Sequence, residues 1–216
     1  RGIPVDPHPK FPGKSALDAV GVTRQRCWRR NWVIDLDIKG FFDNLDWDLV
    51  MRAVRHHTTV PWILLYVERW LRAPVQHADG RLEERTKGSP QGSVISPLLS
   101  NLFMHYAFDE WLRRNFPDVQ FARYADDAVV HARSRKEAEA LLAAIRQRLA
   151  ECHLELHPEK TKIVYCQDDD RRGTHEHTSF DFLGYTFRPR RAKNRWGKLF
   201  ISFLPGVSNK AANSIR

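Results

Sequence analysis

Cysteine is scarce in this 216-residue chain: Cys27, Cys152 and Cys166 make an odd set with no C-x-x-C spacing. That excludes a zinc-finger pattern and a disulfide framework, and it makes a reducing, cytoplasmic compartment the expected setting. Long apolar runs are missing too. Nothing approaches the ~18 apolar residues of a membrane span, and the N-terminus has no charged-then-apolar signal segment, so no membrane partner is expected. Internal repeats and long low-complexity tracts are absent. Acids fall short of bases, 26 against 35, for a net charge of +9. The balance favours a polyanionic partner, although a generic basic surface would give the same number. The length suffices for one large or two small domains with a real core.

What the chain does have is a run from Phe121 to His131 in which apolar residues flank the adjacent acids Asp126 and Asp127. The pattern predicts strand, tight turn, strand, with the acids near the bend. Neighbours in a regular strand point to opposite faces, so two adjacent acids serve one site only where the backbone turns or where one helps the other. Two like charges at a partly desolvated tip repel. A divalent cation removes the conflict, and hard cations such as Mg²⁺ take carboxylate oxygens while keeping positions open for phosphate.

A further acid comes from upstream. Trp32 to Ile38 reads as a buried strand, and Asp35 and Asp37, two apart, share one face of it. Between the acidic stretches lies the loop Gly88, Ser89, Pro90, Gln91, Gly92, which opens a helix. The strand DIKGFFD from Asp37, the loop SPQG, the turn YADD and the later FLGYTF, in that order from Asp37 to Phe187, resemble the reverse transcriptases encoded by group II introns. The resemblance implies an α+β polymerase palm: an antiparallel sheet with helices packed on one face. It also implies shortened fingers in residues 1–32, palm and part of the fingers in 33–187, and a basic strand with the start of a thumb in 188–216. The R-x-I-P match (Arg1 to Pro4) and the stretch from Pro12 to Val20 stand only seven residues apart, so truncated fingers are expected, and a chain stopping near Arg216 is expected to carry a truncated thumb.

Helices are predicted after Ser15 through the low twenties, after Asp46, from Pro61, from Ser96-Pro97 with Leu98, Leu99, Leu102, Phe103 and Tyr106 on one face, and behind a Ser134–Glu137 capping box. A hairpin is expected around Asp79-Gly80 and extended chain from Leu154 to Val164. Phe180–Phe187 and Leu199–Phe203 read as strands, with a helix starting beyond Pro205.

Phosphoryl transfer to a nucleotide needs positioning and charge neutralisation more than covalent chemistry. Two metal ions ~3.5–4 Å apart can clamp the attacking 3′-oxygen and the leaving phosphate, which calls for acids from separate segments. The resemblance assigns Asp37, Asp126 and Asp127 to that catalytic metal site with two Mg²⁺, and it passes over Asp35. Asp43 and Asp46 suit turn and capping roles. By the same resemblance Phe42 gates the sugar against a 2′-hydroxyl, although either Phe41 or Phe42 must serve the core. Gln91 contacts the nucleotide or template, or marks a helix entry. Lys160 lies near the triphosphate, or is solvated. Tyr124 and Ala125 leave room for a primer end, and Leu183 and Gly184 belong to a hairpin that grips it. Arg188, Arg190 and Arg191 begin a basic run interleaved with Trp196 and Phe200, suited to a nucleic-acid backbone or to a charged edge strand. Arg24, Arg26, Arg29 and Arg30 form a second basic cluster, and His56-His57 is expected at the surface.

The implied activity is RNA-directed DNA polymerisation on a primer, with deoxynucleoside triphosphates, an RNA template, a DNA or RNA primer and intron RNA as partners. Three rivals stand beside it. One is a truncated, non-catalytic RNA-binding remnant. Another is a retron or diversity-generating lineage, and the third, a nucleotide cyclase palm, leaves SPQG without a use.

Overall fold

The computed structural model describes residues 15–77, 79–89 and 94–215; Gln91 and the Arg1–Pro4 match lie outside them. Helices begin where a side chain takes up the free N–H groups of the first turn. Ser15 does this for α1 (Ala16–Arg29): its hydroxyl accepts from the Asp18 N–H while the Asp18 carboxylate accepts from the Ser15 N–H. α1 outruns its apolar pattern because Thr23 and Cys27 continue the buried stripe begun by Ala19 and Val20. Strand β1 (Trp32–Leu36) follows, then a 3₁₀ turn at Phe42–Asn44. Asp46 caps α2 (Trp47–His57) by accepting from the Leu49 N–H at 2.9 Å. Pro61 is the first residue of α3 (Pro61–Arg72), where a missing N–H costs nothing. The short hairpin β2 (Val75–Gln76) and β3 (Leu82–Glu83) turns at Asp79-Gly80 as expected.

Next, α4 (Ser96–Met104) passes through a π-helical turn, His105–Asp109, into α5 (Glu110–Asn115). Strands β4 (Gln120–Tyr124) and β5 (Asp127–Ala132) form the central hairpin. In α6 (Arg135–Glu151) the Ser134 hydroxyl accepts from the Glu137 N–H, but the Glu137 carboxylate accepts from Arg133 rather than from Ser134, so the capping box closes one residue early. The chain ends in β6 (Lys162–Tyr165), β7 (Phe180–Phe182), β8 (Tyr185–Lys193), β9 (Leu199–Val207) and α7 (Asn209–Ile215). The stretch from Leu154 is strand only from Lys162; before it, Leu156 makes a single bridge to Ile38.

The elements sort into two compact units, one holding the chain up to Asp37, Asp118–Ala143 and everything from His157, the other Ile38–Pro117 and Ala144–Leu156. The first is an α+β unit built on the antiparallel sheet β4-β5-β1-β6. Val33, Asp35 and Val129 share a face of that sheet by register. Its apolar part packs on α1 through Ala19 and Val20 and on a second antiparallel sheet, β7-β8-β9, through Phe180, Phe187 and Phe203. Phe180 and Phe187 stack at 4.7 Å between centroids. Burying each such ring contributes about 1.5–3 kcal/mol. Arg26 of the second basic cluster donates to the Phe121 carbonyl, so it serves the fold.

In the second unit α2 buries Val50, Met51, Ala53 and Val54. Leu98 is 63% exposed, against its expected place on the inner face, whereas Leu99 and Phe103 are buried. The buried stripe of α4 runs through Ser96, Leu99, Ser100, Phe103 and Met104, and Leu98, 100° before Leu99, falls outside it. Among the described residues no helix is long and apolar enough to cross a membrane.

Candidate active site

The site begins with strand register. β1 pairs with β5 so that Leu36 stands opposite Ala128, and the next pair in that register is Asp37 with Asp127. On its other side β1 pairs Asp35 with Lys162, and the register then shifts: Ile38 bridges Leu156, and Lys160 stands in the intervening turn with its ammonium reaching Asp37. Asp35, Asp37 and Asp127 therefore share one face. The Asp37 backbone is held in place beyond the strand end: the Thr161 hydroxyl accepts from its N–H and donates to its carbonyl, both at 3.3 Å, and the His157 N–H donates to the same carbonyl at 2.8 Å. Thr161 was not among the residues the motifs single out, because nothing in the sequence ties it to a position 124 residues earlier.

The turn between β4 and β5 is two residues long, Ala125 and Asp126, closed by the pair Tyr124 and Asp127. Ala125 takes φ +57, a left-handed conformation that costs a non-glycine residue on the order of 1 kcal/mol. The Arg123 guanidinium, itself buried, donates to the Ala125 carbonyl at 2.7 Å and braces the bend. Asp127 is the first residue of β5, so the two acids fall on either side of the turn's end rather than both at its tip.

The tip of the β7–β8 hairpin meets this turn. Leu183 and Gly184 both have positive φ, +52 and +78, as a two-residue hairpin turn with right-handed strand twist requires. The Leu183 N–H donates to Asp127 Oδ2 at 3.2 Å, and the Gly184 carbonyl accepts from Ser208 at 2.9 Å. The predicted primer-gripping pair thus lies against a predicted metal ligand.

Charge at this end of the sheet is one-sided. Burial is the main force pushing the Asp127 carboxyl up to about 6; the Leu183 N–H opposes it, while Asp126, Asp37 and Asp181 add like-charge repulsion. Asp35 is pushed up to about 7 by burial first and then by Asp127, with Lys162 opposing and Asp181 and Asp37 reinforcing. Asp35 is therefore part of the site's electrostatics, and Asp181 joins it unpredicted. Lys160 Nζ lies 3.6 Å from Asp37 Oδ2, with side chains 62% and 40% exposed, so the pair is worth at most about 1 kcal/mol.

Carboxylate oxygens are the donors a hard divalent cation takes, and five acids against Lys160, Lys162 and Arg123 leave charge for it to neutralise. The donor set fits. Among the described residues no three His, Cys, Asp or Glu side chains are already gathered about one point, and Asp37 stands against Lys160.

Two predicted residues belong to the second unit. Phe42 is the outer ring of its pair: Phe41 is buried, and Phe42 packs edge-on against it at 5.2 Å. The loop leading to Gln91 is tied to Phe42's own turn, since the Ser89 N–H donates to the Phe42 carbonyl and the Gly88 N–H to the Leu45 carbonyl, both at 2.7 Å. Gly88 has φ +84, and a Cβ there would sit 2.7 Å from the Asp43 carbonyl oxygen, so only glycine fits this approach. On β8, Arg188 and Arg191 face solvent, whereas Arg190 lies across Gly206, whose added Cβ would fall 2.6 Å from the guanidinium carbon.

Comparison with known proteins bears on the family and the fold. Residues 6–187 match the family described as reverse transcriptase (RNA-dependent DNA polymerase). The chain is 29% identical over 235 residues to protein YkfC of Escherichia coli (strain K12), covering 93% of this chain and 56% of that protein. It is 26% identical over 94 residues to the group II intron-encoded protein LtrA of Lactococcus lactis subsp. cremoris, covering 44% of this chain and 16% of that one. Apo telomerase from Candida tropicalis, truncated from its C-terminal domain, superposes with a TM-score of 0.60 at 13% identity, over 79% of this chain and 37% of that structure, a likeness of fold. The chain spans about half the length of YkfC and smaller shares of the others.

Proposed function

This chain belongs to the reverse transcriptase (RNA-dependent DNA polymerase) family, and from that premise we propose that it is an RNA-directed DNA polymerase of group II intron type. One observation carries the proposal: β1, β5 and the β7–β8 turn bring Asp37, Asp127 and the Leu183 N–H to one end of one sheet. Asp37, Asp126 and Asp127 would hold two Mg²⁺, which when bound supply charge neutralisation for the triphosphate and the attacking 3′-oxygen. The remaining work falls to the chain itself. Leu183 and Gly184 hold the primer end against the Tyr124-Ala125 turn, and Lys160 gives a proton to the departing pyrophosphate. Phe42 excludes a ribose 2′-hydroxyl, Gln91 orients the nucleotide or template, and Arg188, Arg190 and Arg191 follow the nucleic-acid backbone. In this reading residues 1–32 belong to fingers, 33–187 to palm with part of the fingers, and 188–216 to a basic strand and the start of a thumb. The template is RNA, the primer DNA or RNA, and an intron RNA is a further partner.

Extension of a primed RNA by the chain and by an Asp126→Ala variant tests this. Incorporation should fall by ~10³-fold or more, the scale on which a principal electrostatic group acts, while RNA affinity stays within about threefold, less than ~1 kcal/mol. Equal extension by both proteins overturns the assignment. RNA binding without extension by the parent chain makes it the non-catalytic remnant instead.

A further inference from the structure

The β8–β9 ribbon continues well past the hydrophobic core that anchors it. β7 covers only Tyr185–Phe187 of β8, and from Arg188 to Lys193 β8 pairs with β9 alone. Phe187 and Phe203 at the root are buried, whereas Leu199 is 65% exposed and Trp196, at the tip, 74%. From Phe182 to Arg216 the chain carries eight Lys and Arg and no Asp or Glu. An acid does touch the ribbon: the Asp169 carboxylate accepts from the Ile201 N–H, two pairs back from the distal Lys193–Leu199 pair.

Protection of an exposed edge explains scattered lysines on a strand. It does not explain an aromatic ring held out at the end. The tip is a rigid turn: Asn194 Oδ1 accepts from the N–H groups of Trp196 at 3.0 Å and Lys198 at 2.9 Å, with Gly197 at φ +85. Arg195 lies 4.1 Å from the Trp196 ring centroid. An exposed indole among cations is how proteins hold nucleic acid without reading its sequence.

Reach sets which part of the nucleic acid it meets. The ribbon starts at the Leu183-Gly184 turn, beside Asp127, and Lys193 lies ten residues along it. At about 3.3 Å per residue the tip stands roughly 30 Å from the turn, or about nine base pairs at 3.4 Å each. We propose that Lys193, Arg195, Trp196 and Lys198 form a second grip on the phosphate backbone of a nucleic-acid duplex, about one helical turn behind the end held at Asp127. The inference rests on the reading that the acidic site holds a duplex end.

The test titrates labelled primed RNA·DNA duplexes of about 6 and about 14 base pairs, lengths chosen to fall short of and to pass the tip, with the full chain and a K193Q/R195Q/K198Q variant over a range of salt. All three side chains are exposed, so the variant should melt with the parent. On the long duplex its affinity should fall by at least about tenfold and its log–log salt slope by roughly two to three, near 0.9 per phosphate contact. On the short duplex the change should stay below about twofold. Trp196→Ala should weaken long-duplex binding several-fold and leave the slope alone. Equal effects at both lengths, or none at either, overturn the grip. A parent chain that shows the length dependence but extends no primer overturns the polymerase reading and leaves the grip standing; one that extends primers while the variant binds long duplex normally does the reverse.

Discussion

The β4–β5 turn and the β8–β9 ribbon both gather charge of one sign within the same unit, in opposite surroundings. Asp127 at the turn and Asp35 on β1 are half-buried, and burial is the first cause of their raised pKa values, with neighbouring acids adding to it. Along the ribbon the cations mostly face solvent, and Arg190, the one that folds down, lies over a glycine with its Nε buried and unpartnered among the described residues. Like charge in water is cheap, screened within a Debye length of about 8–10 Å. In a dry place it is held only by a fold that over-determines it. The comparison teaches that the acids need a cation to come to rest, whereas the bases are ready for an anion as they are.

The comparison breaks most visibly if the acids are removed. Asp37→Ala and Asp127→Ala should each lower primer extension by ~10³-fold or more, with the ribbon's affinity for long duplex unchanged; near-normal extension in either would show that the acidic end is not the reaction centre. Next in size is a pH effect. A carboxyl whose pKa the fold raises binds more protons folded than unfolded, so metal-free stability is greatest near pH 4 and falls as pH rises through about 6 for Asp127 and about 7 for Asp35. Each tenfold difference in proton affinity between the folded and unfolded chain amounts to roughly 1.4 kcal/mol, which makes the loss by pH 8 on the order of 3 kcal/mol for Asp127. Urea melts at pH 4 and pH 8 should show it, and added Mg²⁺ should recover it; a metal-free protein more stable at pH 8 contradicts the account.

Asp35→Asn sharpens the comparison, since it keeps the shape and removes one dry charge. Metal-free stability at pH 8 should rise by about 1–2 kcal/mol, with extension kept within about fivefold because Asp35 is not assigned as a ligand. Loss of extension as deep as for Asp37→Ala would make it one. The smallest effect belongs to the exposed Lys160–Asp37 pair: Lys160→Gln should shift stability by less than about 0.5 kcal/mol, and a thermal melt that moves by several degrees would mean the pair is shielded from water.

Much of this was legible in the sequence. Ser15, Asp46 and Pro61 open their helices because capping is a local transaction between a side chain and the next three N–H groups. The Asp126-Asp127 hairpin was readable from the apolar runs on either side of the acid pair and the tight bend. Leu98 was misplaced because a short run of leucines does not say which of two neighbours turns inward. Thr161 and Asp181 left no local signal at all, since one acts through a backbone on a distant strand end and the other through space.

By itself the sequence determined the inventory: which acids exist, that two flank a tight bend, that bases crowd the chain after Asp181, and which family the four blocks belong to. Tertiary structure alone decided that Asp37 comes to the Asp127 end of the sheet with Lys160 against it, that the Leu183 N–H reaches Asp127, and that Trp196 stands clear of the core. The reason is physical. Helix starts and tight turns are settled within a few residues, but strand register and the desolvation of a carboxylate depend on partners tens of residues away, and these exist only once the chain has folded.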